Sequence, residues 1–290
     1  MSEIYHVDGE LFPASEATVN VRDRGFMYGD AAFETLRIYG GVPFEWKAHY
    51  DRLQRSCETL GFADALPSSA DLRSRIDETL AANEFDDAYL KLSVTRGVQP
   101  GKLTPGAEVD PTVVIIVSEL PRAGIDGERV WDEPATLGTV ERRRVSDDAI
   151  PAAAKTHNYL NGILARLELR DSDHDEVIMC SQEGFLAEGA TSNLFFVVEG
   201  RLHTPSTAVP LLPGITRGVV LSLADEAGIP FETGRYRPAT LEQASEVFVT
   251  NSTWEIRPVS RVDETAFEIG PVTKELQQRF DESVESFYEE

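Results

Sequence analysis

The stretch IPAAAKTHNYLNGILARLELR, residues 150–170, joins a small apolar run, a lysine and an amphipathic pattern. Leu160, Ile163, Leu164 and Leu167 recur at helical spacing, which predicts a helix anchored on a core, with Thr156 or Asn158 as its cap. Lys155 stands just ahead of that helix. Lysine is scarce in this chain: Lys47, Lys91, Lys102, Lys155 and Lys274 are set against 22 arginines. The run Pro151 to Ala154 gives an ammonium little water and so favours the free, nucleophilic amine. A surface lysine beside a helix start is the plainer reading of the same residues.

With 290 residues the chain can bury a large core as two domains or one large one. No apolar run reaches membrane-spanning length, and the acidic start MSEIYHVDGE lacks the basic-then-apolar order of a signal peptide, so a cytoplasmic protein is expected. Cys57 and Cys180 lie in apolar patterns, which predicts two buried thiols rather than a disulfide or a metal pair. The net charge is -23, from 27 basic and 50 acidic residues. That field repels nucleic acid and anionic membranes and excludes both as partners. Scattered acid combined with lysine depletion predicts a halophilic host, whose salt would screen the self-repulsion.

Residues 4–7 and 10–12 flank Asp8-Gly9, a two-residue hairpin turn. Residues 33–39 read as a strand, Gly40-Gly41 as its turn and 42–44 as the return. In EWKAHYDRLQRSCETLGF the stripe Trp46, Tyr50, Leu53, Cys57 and Leu60 predicts a helix ended by Gly61. Arg52 lies off that stripe, solvated unless the helix edge lines a phosphate site. A second helix is predicted over 69–83. AYLKLSVTRG then alternates, with Leu90, Leu92 and Val94 on one face and Tyr89, Lys91, Ser93 and Thr95 on the other, which suits water or a ligand cavity. Residues 112–118 read as a continuously buried strand, and LPRAGIDGE has the texture of a linker. A small N-terminal domain (1–120), a linker (121–127) and a larger C-terminal domain (128–290) are therefore expected.

In the second half, 130–140 reads as strand-like and is followed by an arginine cluster at 142–144. EVIMCSQEGFLAEGATSNLFFVVEGRLHTP gives three strands with joins at 182–184, 189–192 and 199–200. Glu188 precedes Gly189 and Ala190, small enough for a flat ligand to lie against, and Asn193 is placed to fix the carboxylate; a solvated loop glutamate is the alternative. In LLPGITRGVVLSLADEAGIP, Pro213-Gly214 ends a loop and a helix starts at Ile215-Thr216. Val219, Val220, Leu223 and Ala227 are its expected buried side, and Gly228 its stop. Such a helix start favours phosphate, and Thr216 adds a hydroxyl, although capping explains Thr216 as well. ASEVFVTNSTWEIRPVSRV reads as strand, hydroxyl-rich turn and strand, with Asn251, Ser252 and Thr253 in the turn, before an amphipathic acidic helix from Val272.

An amine nucleophile, an anion cradle with a spare arginine and hydroxyls, and a carboxylate near a glycine turn match the aldehyde, phosphate and ring nitrogen of pyridoxal 5′-phosphate. Rival motifs are missing: the chain holds no GxGxxG after a strand, GxxxxGK[ST], HExxH or GxSxG, and its five histidines have no metal-ligand spacing. No metal is expected.

The motifs RGFMYGDAAFETLRIY, HYDRL, KTHNYLN, EGATSNLFFV, LLPGITR and TNSTWEIRPV, running from Val7 to about Val262, resemble the class IV aminotransferases in identity and order. These are the fold-type IV pyridoxal phosphate enzymes, including branched-chain and D-amino acid aminotransferases and 4-amino-4-deoxychorismate lyases. The resemblance implies an α/β (α+β) fold with a small N-terminal and a larger C-terminal α/β domain, the cofactor between them and a homodimer closing the site. It implies that Lys155 forms the internal Schiff base and that Glu188 pairs with the pyridinium nitrogen. Arg52, Ile215, Thr216 and Ser252 would hold the phosphate, with Gly214 and Asn251 beside them, while Leu212 packs on the ring and Tyr159 lies by its hydroxyl. Tyr28, Phe33, Thr35, Tyr89, Lys91, Arg96 and Thr253 match substrate-pocket positions.

Those pocket positions carry mixed marks. Tyr89 and Lys91 mimic a Tyr-x-Arg pair that branched-chain enzymes place near the substrate carboxylate, with a point charge replacing a planar fork. SVTRG is closer to the D-amino acid and lyase branches, where an arginine in this strand, here Arg96, binds a carboxylate. Thr35 matches a threonine that helps lyases eliminate pyruvate. The expected activity is amino transfer between an amino acid and a 2-oxoglutarate-like or pyruvate-like 2-oxo acid. The alternative is a 4-amino-4-deoxychorismate lyase releasing pyruvate and 4-aminobenzoate, and a non-catalytic ligand-binding homologue would require a broken site.

Overall fold

A computed structural model of the chain describes residues 3–122, 124 and 130–288, so positions 123 and 125–127 of the expected linker lie outside the described residues. The chain forms two compact units, Met1–Arg129 with Ala154–Asn158, and Val130–Ala153 with Tyr159–Glu290.

The first unit contains β1 (Ile4–Val7), β2 (Glu10–Pro13), α1 (Arg24–Tyr28), β3 (Ala31–Tyr39), β4 (Val42–Pro43), α2 (Trp46–Leu60), α3 (Ser69–Asn83), β5 (Ala88–Thr95) and β6 (Val113–Glu119). Its described strands form one antiparallel sheet in the order β2-β1-β6-β5-β3-β4. Strand alternation divides that sheet chemically. Leu36, Ile38, Leu90, Leu92, Val113 and Ile115 pack in one core with Leu53 and Cys57 of α2 and Leu72 and Ile76 of α3. The β3/β5 register sets Phe33 opposite Ser93, Thr35 opposite Lys91 and Arg37 opposite Tyr89, so these six side chains share the other face. Burial along β6 alternates where a continuous run was expected, because Val113, Ile115 and Val117 meet the helices while their neighbours point the other way.

The solvated default for Arg52 fails in this unit, because the polar group finds partners inside. Arg52 is buried, together with His49 and Ser56 on the inward side of α2. Lys155 stands ahead of the next helix, whose N-cap is Tyr159 rather than Thr156 or Asn158, on an extended segment beside β3, where Thr156 bridges Ala32, the Phe33 N–H donates to the Lys155 carbonyl at 3.0 Å and the His157 N–H to that of Ala31 at 3.0 Å. The Lys155 N–H donates to Ser56 Oγ at 2.9 Å.

The second unit contains β7 (Ala135–Arg143), α4 (Leu160–Glu168), β8 (Glu176–Cys180), β9 (Leu186–Glu188), β10 (Asn193–Val198), β11 (Arg201–Pro205), α5 (Ile215–Glu226), β12 (Phe231–Gly234), β13 (Glu246–Asn251), β14 (Glu255–Val262), β15 (Thr265–Ala266) and α6 (Pro271–Glu285). Its sheet is mixed, in the order β12-β11-β10-β13-β14-β7-β8-β9 with β15 on β14; the pairs β11/β12, β14/β7 and β7/β8 are parallel. The three expected joins separate four strands over 176–205, β8 to β11. The helix after Lys155 buries Gly162 and Ala165, whereas Leu160, Ile163 and Leu167 are 62, 54 and 49% exposed, so the predicted stripe is real but faces outward. The inward side is made of small residues: a Cβ on Gly162 would be in van der Waals contact, 3.5 Å, with the Ala190 carbonyl. On α5 the buried set is Thr216, Arg217, Val220 and Ala224, a face rotated from the predicted one by its polar members. Cys57 and Cys180 are buried free thiols, and no described helix is long and apolar enough to cross a membrane.

Candidate active site

In the first unit the polar sheet face carries the amine. Lys155 Nζ lies 4.4 Å from the Phe33 ring centroid and Lys91 Nζ lies 4.8 Å from the same centroid, so two cations share one aromatic ring. Burial, and then the Lys155 charge, hold the Lys91 ammonium below the usual lysine value. His157 packs edge-on against Phe33 and reaches Ser93 Oγ at 3.2 Å; burial, and then Lys91, lower it to about 4, so it is neutral near pH 7. Thr35 hydrogen-bonds the Tyr89 phenol, whose pKa burial raises. Arg37 extends this row of side chains, buried, with Nε and Nη1 unpartnered among the described residues.

Behind this face, Glu34 accepts from Arg52 Nε at 2.9 Å and Nη2 at 2.6 Å and meets His49 Nδ1 at 2.7 Å. Burial pushes the Glu34 carboxyl up, but the Arg52 charge and the hydrogen bonds from Arg52 and His49 outweigh it and bring it to about 2. Burial lowers His49 despite Glu34, which keeps that ring neutral.

In the second unit Glu188 ends β9, buried. Arg144 Nε lies 2.8 Å from its Oε1, and the Leu212 N–H donates to its Oε2 at 2.9 Å. Arg144 is itself fixed by Asn161, whose Oδ1 accepts from Nη1 at 3.1 Å and from the Val145 N–H at 3.1 Å. Asn193 does not hold the carboxylate as expected; its Nδ2 donates to the Leu212 carbonyl at 2.9 Å, and the longer, charged Arg144 takes that role. Asn193 also explains Gly214, where a Cβ would lie 2.0 Å from its Oδ1. Helix α5 therefore begins behind a glycine N-cap with no side-chain cap and no acid in its first turn, and Thr216 is buried there. Such a start presents backbone donors to an anion.

The remaining candidates divide. Arg96 turns away from the substrate role: Nε donates to Asp30 Oδ2 at 2.7 Å, Nη2 to Asp30 Oδ1 at 3.1 Å and to the Leu60 carbonyl, and its guanidinium lies 5.0 Å from the Phe62 centroid. A half-buried acid that Arg24 shares at 2.7 Å holds it in the scaffold. Asn251 is a turn builder, its Oδ1 accepting from the Thr253 N–H, the Thr253 hydroxyl and the Trp254 N–H. Ser252 lies in that turn, Tyr159 is the N-cap residue of α4, and Tyr28 ends α1 with the Arg24 guanidinium 5.0 Å from its ring centroid. Glu34, His49, Ser56, Arg37, Arg144 and Asn161 are the partners that the sequence did not single out. Glu34 had a signal, a charge at an inward position between Ala32 and Leu36; Arg144 had another, an arginine cluster at a strand end.

Taken unit by unit, these groups have the chemistry of the parts of pyridoxal phosphate. An uncapped helix start at a glycine suits the phosphate, a clamped carboxylate suits a protonated ring nitrogen, and a lysine amine suits the aldehyde. A family model described as amino-transferase class IV matches residues 31–262. A provisionally named branched-chain-amino-acid aminotransferase of Methanocaldococcus jannaschii is 36% identical over 279 residues, which cover 95% of this chain and 94% of that protein. A solved branched-chain aminotransferase from Thermoproteus uzoniensis, with norvaline, is similar at a TM-score of 0.91 and 29% identity, covering 99% of this chain and 96% of that one. The solved branched-chain amino acid aminotransferase of Escherichia coli has a TM-score of 0.86 at 29% identity, over 97% of this chain and 94% of that one. Fold, motifs and relatives agree: this chain belongs to the class IV amino-transferases and is an enzyme of that family's mixed-sheet α+β fold.

Proposed function

We propose that the protein is a pyridoxal 5′-phosphate-dependent aminotransferase that moves an amino group between an amino acid and a 2-oxo acid through a Lys155 Schiff base. The observation that carries this reading is the placement of Lys155, whose backbone is pinned by β3 and Ser56 while its amine lies over Phe33 beside a second cation. When bound, the cofactor supplies a sink for the electron pair left at the substrate's α-carbon. Lys155 Nζ would take the proton from that carbon and deliver it to the carbon that was the cofactor's aldehyde, the work of a general base and then acid. Glu188, oriented by Arg144 and the Leu212 N–H, keeps a proton on the ring nitrogen. Ile215 and Thr216 at the start of α5, with Gly214, Ser252, Arg52 and the turn made by Asn251, would hold the phosphate; Leu212 would pack on the ring and Tyr159 would lie beside its hydroxyl.

Tyr89 and Lys91 would meet a substrate carboxylate, with Phe33, Thr35 and Tyr28 as further substrate contacts, and Thr253 is a substrate-binding candidate of the second unit. The Lys91 ammonium and the nearby Arg37 charge favour a 2-oxoglutarate-like acceptor over a pyruvate-like one, because a second carboxylate gains from both. We also propose a homodimer, supported by the apolar stripe that α4 leaves exposed, and a halophilic, cytoplasmic setting, supported by the charge of -23.

Borohydride trapping after incubation with the cofactor should label the peptide containing Lys155. Donor amino acids should then convert the aldehyde form to the amine form. Release of pyruvate from 4-amino-4-deoxychorismate with no net cofactor change would replace this reading by the lyase, and absence of any adduct would overturn both.

A further inference from the structure

One fully buried charged group of the first unit has no part in the chemistry above. Glu34 is fully buried on the face of β3 that holds Ala32, Leu36 and Ile38 in the core. A carboxylate in such a place is costly unless every lone pair is used, and apolar side chains of the same volume serve stability as well or better. Its retention calls for another use.

The geometry supplies one. Glu34 takes two neighbouring donors of a single guanidinium, Nε and Nη2 of Arg52, at 2.9 and 2.6 Å, and His49 Nδ1 closes the second oxygen at 2.7 Å. A guanidinium is planar, so two fixed nitrogens also fix the direction of the third, Nη1. His49 is held neutral by burial, so it adds a donor to the carboxylate without competing with Arg52 as a cation. One turn further along α2, Ser56 Oγ donates to the Arg52 carbonyl at 2.9 Å and accepts the Lys155 N–H at 2.9 Å, which ties the arginine's backbone to that of the lysine.

We propose that Glu34 and His49 are positioning residues that aim the Arg52 guanidinium at the cofactor's phosphate while Ser56 keeps that arginine in register with Lys155. This rests on Arg52 being a phosphate ligand of the enzyme proposed above. The alternative is that Glu34, His49 and Arg52 support the fold alone.

The two are separated by comparing pyridoxal 5′-phosphate with pyridoxal, which carries the same aldehyde and ring but no phosphate. Dissociation constants of both are read from the absorbance of their lysine imines in the wild type, Glu34→Gln, His49→Gln and Arg52→Met. Glu34→Gln should weaken the phosphorylated ligand at least about tenfold, the scale of one charge-assisted hydrogen bond, and leave pyridoxal within about twofold. His49→Gln should shift the ratio of the two constants in the same direction by less. In an Arg52→Met background Glu34→Gln should leave that ratio unchanged, because the carboxylate acts through the arginine. Equal weakening of both ligands, or no change in the ratio, would overturn the proposal. Should Glu34→Gln fail to fold, Glu34→Asp keeps the charge but withdraws it by one methylene, and an unchanged ratio there has the same force. A wild type that forms no imine with either ligand would instead overturn the functional reading, a failure visible without any variant.

Discussion

Glu34 in the first unit and Glu188 in the second are both buried carboxylates on β-strands, and each faces an arginine, Arg52 or Arg144. Glu34 meets Arg52 with both oxygens and His49 with one, so its charge is consumed locally and what it delivers is the orientation of a cation. Glu188 has Oε1 2.8 Å from Arg144 Nε, an ion pair whose N–H makes no hydrogen bond among the described residues, and its Oε2 accepts from a backbone N–H, while behind Arg144 stands Asn161. There the cation orients the carboxylate. The same ion pair thus works in opposite directions: a neutral histidine holds the glutamate of the first, and an asparagine holds the arginine of the second.

The contrast can be broken at several points. The largest effect is expected from Lys155→Ala, which should abolish both turnover and the yellow imine absorbance, checked by stopped assay and by spectrum. Glu188→Gln should leave cofactor binding nearly intact and slow turnover by about 10² to 10³, the usual scale for removing one preorganised electrostatic contact. A kcat unchanged within a factor of two would mean that its charge is not used in the reaction. Arg144→Met should fall below that, near tenfold in kcat, because the carboxylate keeps the Leu212 N–H; an effect as large as that of Glu188→Gln would show that the arginine acts on its own account.

Smaller effects sharpen the picture. The pKa of His157, about 4 in the fold, lies below its ordinary 6.5, so the unfolded chain binds more protons between those values. Stability should decline as pH falls from 6.5 towards 4, and His157→Gln should flatten that slope in thermal melts; a slope that persisted would assign the loss to other groups. Last, the melting temperature should rise between low and molar KCl as screening relieves a net charge of -23. A melting temperature that stayed level would remove the support for a salt-rich host.

Much of this was legible in the sequence. The hairpin at Asp8-Gly9, α2, α3, the alternating β5 and the start of α5 follow from turn residues and from periods of two and 3.6, which report which side of an element is apolar. Lys155, Glu188 and Gly214 stand out in the sequence through their unusual neighbours, and the roles proposed for them await the tests above. What the sequence hid were pairings between distant positions. Arg52 reads as solvated because nothing nearby shows that Glu34, on another element, will bury it. Arg96 reads as a substrate ligand because the claim of Asp30 on it needs the fold. The stripe on α4 was correct in period and wrong in direction, since periodicity marks an apolar side without saying what covers it.

The segment Ala154–Asn158 clusters with the first unit although the chain has by then entered the second. One of its anchors, Lys155 N–H to Ser56 Oγ, joins residues 99 apart. Closing so long a loop is slow compared with zipping up hairpins. During synthesis the six strands β1 to β6 can pair before the lysine has left the ribosome, so the amine is the last piece delivered to a scaffold already assembled. A newly made chain should therefore become compact before it can present its amine, and a fragment ending at residue 129 would at most give a sheet without that lysine.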